Sequence, residues 1–356
     1  MTHKRTTLSD VGTRAGVSAV TVSRALRNPG MVSAELRVRI ERAVAELGYI
    51  PNRLASALAS ARTQTIGVVV PSLTNGVFVD YLRALHDVLN PAGFQVLVLN
   101  SRYASGDEEK AIATLLGQHP EAMIVAGIDQ TDRSRRLLKE AGIPVVQTME
   151  VATDPIDINI GVSQREAGRA ATRFLLDLGH RRIGQVSARL DPRSRRRIEG
   201  YRLAMSEAGI DSPELLATTP RPSTVRLGAE LFAELHARIP GLDAVFCCND
   251  DLALGALFEC HRRGISVPGD ISIIGFNDLE FCSSAYPALT SVAIPRYEMA
   301  EQSARIVLDI IRGSGERPHE RRIDLGFRIV ERESTRRPQA ATGSGRRAAE
   351  MVRDRS

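Results

Sequence analysis

Thr7-Leu8-Ser9-Asp10-Val11-Gly12-Thr13-Arg14-Ala15-Gly16-Val17-Ser18-Ala19-Val20-Thr21-Val22-Ser23-Arg24-Ala25-Leu26 is the stretch on which the reading of this chain turns. It builds as two short helices joined by a tight turn, the shape that lays its second helix in the DNA major groove. Thr7 caps the first helix, with Asp10 as the acidic partner of a capping box. Gly16 supplies the backbone freedom for the turn, and Ser18 caps the second helix. Val11, Ala15, Val17, Val22 and Leu26 then fall inward at helical spacing. Ala19, Val20, Ser23 and Arg24 are left facing outward, where base edges and phosphates would be met. The expectation is that residues 1–62 contact DNA.

Charge agrees with that placement. Residues 1–62 hold ten Lys/Arg against four Asp/Glu, and residues 332–356 hold seven against three. The stretch between is therefore net negative, although the whole chain carries +5. A basic head on a mildly acidic body suits nucleic-acid contact at one end and another task in the middle. At 356 residues, 43% of them hydrophobic, the chain is long enough for two or three domains with substantial cores. Cys247, Cys248, Cys260 and Cys282 lack paired metal-ligand spacing, so buried thiols are expected, and no metal site. The polar start at Met1–Asp10 and the lack of a membrane-length apolar run lead to the expectation of a soluble, cytoplasmic protein, associated with the nucleoid. There is no dinucleotide fingerprint, P-loop or His-Glu-x-x-His motif, which disfavours an enzyme and predicts no cofactor.

Downstream, Asn28-Pro29-Gly30 breaks the helix and Ser33 caps a third, running through Leu36, Ile40, Val44 and Leu47 to Gly48. Pro51 ends that element and Asn52 can cap a short helix carrying Leu54 and Leu58, marginal by itself. From Thr65 the rhythm changes. Apolar runs at Ile66–Val70, Gln95–Leu99, Ala122–Ala126, Pro144–Val146, Ile183–Val186, Ala244–Cys247 and Ile271–Gly275 alternate with amphipathic helices. Such alternation predicts an α/β core of two doubly wound parallel-sheet subdomains with a cleft between them. Residues 337–356, small, polar and basic, are expected to be a disordered tail.

In the recognition helix, Ala19 and Val20 lack hydrogen-bonding side chains and suit a thymine methyl. Arg24, one turn on, can reach a guanine or a phosphate. Ser18, Thr21, Asn28 and Ser33 suit phosphate oxygens, which set register but not sequence.

The chain resembles the lactose-repressor (LacI) family of bacterial transcription regulators over roughly residues 5–336. The resemblance is carried by Asp10-Val11, Ala15-Gly16-Val17-Ser18, Thr21-Val22-Ser23-Arg24, Leu47-Gly48-Tyr49-Ile50-Pro51-Asn52, Gly179-His180-Arg181-Arg182-Ile183, Asn249-Asp250-Asp251-Leu252-Ala253-Leu254-Gly255-Ala256 and Val267-Pro268-Gly269-Asp270-Ile271-Ser272-Ile273-Ile274-Gly275-Phe276. Pro71-Ser72-Leu73-Thr74-Asn75, Ala188-Arg189-Leu190-Asp191, Phe258-Glu259-Cys260 and Asp324-Leu325-Gly326-Phe327 are most similar to gluconate-operon repressors. The resemblance implies a helix-turn-helix domain over 1–50 and a hinge over 51–62, followed by a periplasmic-binding-protein-like core over 63–336. The core would cross between subdomains near 161–164, 289–293 and 320–325. Its N-subdomain would take about 63–162 and 292–322, its C-subdomain about 163–291 and 323–336.

The resemblance also implies roles. In the hinge, Asn52, Ala55 and Leu58 would meet DNA, Leu58 as a wedge in the minor groove. In the cleft, Arg197 would grip the effector, Asn249 would read a polyol, Phe78 would form an apolar wall, and Asp191 and Arg193 would line the same loop. Asn277 takes a place where sugar repressors often carry Asp, and with Arg193 beside Arg197 it tilts the pocket positive. An anionic sugar-derived effector follows. A homodimer on a pseudo-palindromic operator is expected, and the lack of a C-terminal Leu heptad argues against a tetramer. A regulator of a neutral-sugar or sugar-phosphate pathway is the alternative; a sugar-binding receptor or a sugar-acid enzyme would be a different class. The chain departs from the family pattern at Gly12, where Ala is usual and helix strength should drop by about 1 kcal/mol. It departs again at Ser163-Gln164, which puts contacts from that loop in doubt.

Overall fold

The computed structural model describes residues 6–50, 62–313 and 316–338. The chain divides into two compact units with the boundary at Thr63/Gln64. The proposed hinge contacts Asn52, Ala55 and Leu58 lie outside the described residues, as does the tail beyond Pro338.

In the head, α1 (Leu8–Ala15), α2 (Ala19–Arg27) and α3 (Ala34–Leu47) close around Val11, Ala15, Val22, Ala25, Ile40, Ala43 and Tyr49. Thr7 caps α1 in a reciprocal box with Asp10. Ser18 caps α2 by accepting from the Thr21 N–H, and Ser33 caps α3 by accepting from the Leu36 N–H. Gly16, at φ 68°, makes the left-handed step of the turn. Gly12 has a reason beyond helix propensity. A Cβ there would stand 2.7 Å from the Val17 carbonyl oxygen, so its small size lets the turn fold back onto α1.

The second unit holds two six-stranded sheets. The first comprises β1 (Thr65–Val70), β2 (Gln95–Asn100), β3 (Ala122–Ala126), β4 (Val145–Thr148), β5 (Ile158–Gly161) and β11 (Arg322–Asp324), in the order β11-β5-β4-β3-β1-β2. Every pairing in it is parallel. The second comprises β6 (Ile183–Ala188), β7 (Leu216–Thr219), β8 (Ala244–Cys247), β9 (Ser272–Asn277), β10 (Thr290–Ala293) and β12 (Arg328–Val330), in the order β12-β10-β9-β8-β6-β7. Only its β10–β12 pairing is antiparallel. Central strands such as β1, β3 and β8 are buried along their full length, which is why they read as unbroken apolar runs.

Helices α4 (Val77–Leu89), α5 (Ser105–Leu116), α6 (Asp132–Glu140) and α12 (Arg296–Arg312) go with the first sheet. Helices α7 (Gln164–Asp177), α8 (Pro192–Glu207), α9 (Val225–Arg238) and α10 (Asp250–Arg263) go with the second, where the one-turn α11 (Phe281–Ser284) follows β9. The chain passes between sheets at Val162–Ser163, at Ile294–Pro295 and over Leu325–Phe327. The last two passages correct the expected subdomain edges at 291/292 and 322/323. Thr290–Ala293 is still a strand of the second sheet, paired with β9 and β12, and β11 extends the first sheet to Asp324.

Both sheets reverse their winding beside a first strand, β1 in one and β6 in the other. The carboxyl ends at such a reversal form a crevice. Two glycines set one wall of it. Cβ atoms at Gly168 and Gly200 would stand 2.5 Å from the Arg197 carbonyl oxygen and 2.0 Å from that of Arg165, so α7 and α8 touch backbone to backbone. Gly200→Ala should force those helices apart and cost on the order of 1–3 kcal/mol, read as a lower midpoint in thermal or urea denaturation. An unchanged midpoint would refute this account of the packing.

Candidate functional site

On α2, Val20 is 68% exposed and Arg24 is exposed, so an apolar and a cationic side chain stand one turn apart on the helix surface. Ser18 and Ser33 spend their hydroxyls as caps, and the Ser18 Oγ lies 2.9 Å from the Thr21 Oγ1. Asn28, at the end of α2, and Ala19, in its first turn, also lie at the surface of the unit, Ala19 half-buried.

In the core unit, the crevice contains a pocket lined by Asn75, Val77, Phe78, Tyr103, Ala188, Arg189, Asp191, Arg193, Ser194, Arg197, Ser223, Asn249 and Asn277. All six residues singled out from sequence for the cleft stand on it. The first sheet and its helices contribute Phe78, and the second contributes the other five.

Arg197 is the centre of the arrangement. It is 8% exposed, and a buried guanidinium needs acceptors. Its Nε donates to Gln164 Oε1 at 2.7 Å and its Nη1 to the Cys248 carbonyl at 2.5 Å. The Phe276 ring lies beneath it, 3.7 Å from the guanidinium carbon to the ring centroid. Among the described residues no acceptor is bonded to Nη2. Burial pushes Arg197 down to about 10, which leaves it cationic at neutral pH. Gln164 is held in turn by donating to the Met149 carbonyl at 2.9 Å. The loop whose departure from the family pattern put its contacts in doubt is therefore the one that orients Arg197.

Asp191 caps α8, its Oδ1 accepting from the Arg193 and Ser194 N–H groups at 3.0 and 3.3 Å. Burial alone would raise its carboxyl, but the Arg193 and Arg197 charges and those two N–H groups hold it below the ordinary range. The Arg193 guanidinium lies 5.7 Å from the Phe78 ring centroid and 5.9 Å from that of Tyr103. Asn249 is committed elsewhere: its Oδ1 caps α10 at the Leu252 N–H, and its amide donates to Ser223 Oγ at 2.7 Å. Asn277 is buried, and its side-chain amide has no partner among the described residues. Its backbone sits at φ 110° and its carbonyl accepts from Arg296, which also reaches Asp80 on α4 at 3.3 Å.

Sequence reasoning missed Asn75, Tyr103, Arg189, Ser194 and Ser223. Tyr103 and Arg189 occupy left-handed positions in loops after β2 and β6, and Arg189 stacks at 4.0 Å on the Tyr103 ring across the cleft. Also unforeseen was Arg196, which spans the cleft with two bonds of 2.6 and 3.0 Å to Asp129 and lies 3.8 Å from Glu150. Conversely, His180 is structural: it is buried, with Nε2 2.9 Å from the Arg336 carbonyl. Among the described residues no helix is long and apolar enough to cross a membrane.

A two-helix reader of DNA on one unit and a polar cleft on the other define a ligand-responsive transcription regulator. Comparison with known proteins agrees. Residues 7–52 match the family described as bacterial regulatory proteins, lacI family, and residues 172–335 match a periplasmic binding protein-like domain. The chain is 43% identical over 334 residues to the HTH-type transcriptional regulator GntR of Pseudomonas aeruginosa, covering 94% of this chain and 97% of that protein. A LacI-family regulator structure from Silicibacter pomeroyi is 35% identical with a TM-score of 0.86, covering 93% of this chain and all of that one. The lac repressor dimer bound to operator and the anti-inducer ONPF is 27% identical with a TM-score of 0.78, over 94% of this chain and 100% of the other. The chain belongs to the LacI family. It is a DNA-binding transcriptional regulator and not an enzyme, with operator DNA and a small-molecule effector as its ligands.

One buried acid gives the core a pH signature. Burial lifts the Glu150 carboxyl from 4.5 to about 7, against the pull of Arg196 and the Gln164 N–H. Between those values the folded chain keeps a proton that the unfolded chain has lost. Stability therefore declines as pH rises through the window and flattens above it. Glu150→Gln should remove that decline and gain on the order of 1–3 kcal/mol on the alkaline side, checked by melting curves from about pH 5 to 8. Parallel pH profiles for the two proteins would contradict it.

Proposed function

We propose that this regulator represses genes of sugar-acid catabolism, of the gluconate type. A small anionic sugar-derived effector in the cleft would set its affinity for the operator. One observation carries the reading: among the described residues the Arg197 Nη2 and the Asn277 amide have no bonded partner, and they are gathered where Arg189, Arg193 and Arg197 outnumber the single carboxylate of Asp191, which Arg193 approaches to 3.6 Å. A planar guanidinium with free N–H groups matches a carboxylate. Arg197 holds the acid, Arg193 and Asn277 flank it, Asn249 and Asp191 shape the polar wall and Phe78 closes the apolar side.

The head reads DNA through Ala19, Val20 and Arg24, while Ser18, Thr21, Asn28 and Ser33 meet phosphates. Asn52, Ala55 and Leu58 form the hinge contact. The protein acts in the cytoplasm, at the nucleoid, as a homodimer with one head on each half of a pseudo-palindromic operator. Effector occupancy changes operator affinity through its unequal binding to the two states of the core.

Calorimetry with gluconate, its keto form and neutral glucose tests the ligand class. Gluconate should bind and glucose should not, and tightest binding by glucose would overturn the reading. For the head, Arg24→Ala should weaken operator retardation in a gel by about 10- to 150-fold while ligand binding persists. Undiminished retardation would remove Arg24 from the interface.

A further inference from the structure

Beside the pocket at Arg197 lies a second one, sharing Tyr103, Asp191 and Arg193 with it. The two chambers are opposite in charge. In the first, three guanidiniums face one carboxylate; in the second, the carboxylates of Glu108, Asp129 and Asp191 face Arg193 alone. Asp129 is matched by Arg196, whereas Glu108 has no ion-pair partner among the described residues.

The polarity at Glu108 is fixed from a distance. The Ile156 N–H can only donate, and it donates to Gln147 Oε1 at 2.7 Å. Gln147 must then present its NH2, which donates to Gln130 Oε1 at 2.6 Å. Gln130 in turn offers its own NH2 to Glu108 Oε1 at 3.2 Å. Glu108 is thereby held as an acceptor, and its Oε2 has no partner among the described residues. Burial pushes this carboxyl upward and Asp129 adds to it, while the Gln130 bond and the Arg193 charge oppose them.

Resting on the sugar-acid reading above, we infer that the cleft reads its ligand end to end. The acid end sits among the guanidiniums, the far end donates hydroxyl protons to Glu108, and a second anionic group at that far end is refused. The effector is thus a sugar acid with one carboxylate and an unphosphorylated, unoxidised tail. Glu108 is the residue that enforces this choice.

The test is calorimetry with gluconate, its terminal phosphate ester and glucarate, on the wild type, Glu108→Gln and the charge-preserving Glu108→Asp. The wild type should prefer gluconate by about tenfold or more over both dianions. Glu108→Gln should narrow that gap by binding the dianions more tightly, and Glu108→Asp should keep it. If gluconate binds but the ratio is the same in wild type and Glu108→Gln, or if the wild type prefers a dianion, the inference fails while the sugar-acid reading stands. If no sugar acid binds and a neutral sugar does, that reading fails and takes the inference with it.

Discussion

A guanidinium in a protein interior is tolerated only where acceptors surround it, and the core of this regulator is arranged to supply them to Arg197. Gly168 and Gly200 bring α7 and α8 into backbone contact, which sets Arg197 on α8 within reach of Gln164 at the start of α7. The carboxyl end of β8 contributes the Cys248 carbonyl, and β9 contributes the Phe276 face. Three acceptor surfaces from three elements satisfy part of one cation. The part left over points to a ligand, because a charge of this kind gains most from an anion that completes its shell.

The same economy shows in the surrounding polar groups. Asp191 and Asn249 spend their oxygens as helix caps, so the two helices that begin at the cleft, α8 and α10, are anchored by residues that also line it. Asn277 does the reverse, spending its backbone carbonyl on Arg296 and leaving its amide unspent. Asp250, buried beneath it, accepts from the Leu279 N–H and from Ser291 Oγ and so fixes the left-handed turn that aims Asn277. Selectivity in such a site comes from how few donors are left over.

Much of this was legible in the sequence because it depends on local chemistry. Thr7, Ser18 and Ser33 read as caps, Gly16 as a left-handed turn, and the central strands as apolar runs, since each signal is complete within a few residues. Short strands were not legible. β11 and β12 are three residues each, and β7 and β10 four, with too little pattern to stand out from a loop. The cleft residues Phe78, Arg197, Asn249 and Asn277 came from family resemblance, whereas Tyr103, Arg189 and Arg196 owe their places to loops meeting across the cleft. No spacing rule reports a contact between residues 67 positions apart, such as Arg196 and Asp129.

Those long-range contacts are also where regulation has physical content. Arg196 with Asp129, Arg189 over Tyr103, and Arg296 between Asp80 and the Asn277 turn each join one sheet's layer to the other's. All three are charged or cation–π interactions placed at the rim of the cleft or beside it, and none belongs to the buried apolar cores. The first two are modest individually and exchange readily for water, whereas Arg296 is buried. A single buried apolar cluster runs through both layers, and at the rim their relative setting also rests on terms that an anion among Arg189, Arg193 and Arg197 would change. On the proposed reading, a ligand that neutralises those cations would act through unequal affinity for two settings of the layers, and that inequality is what an allosteric signal requires.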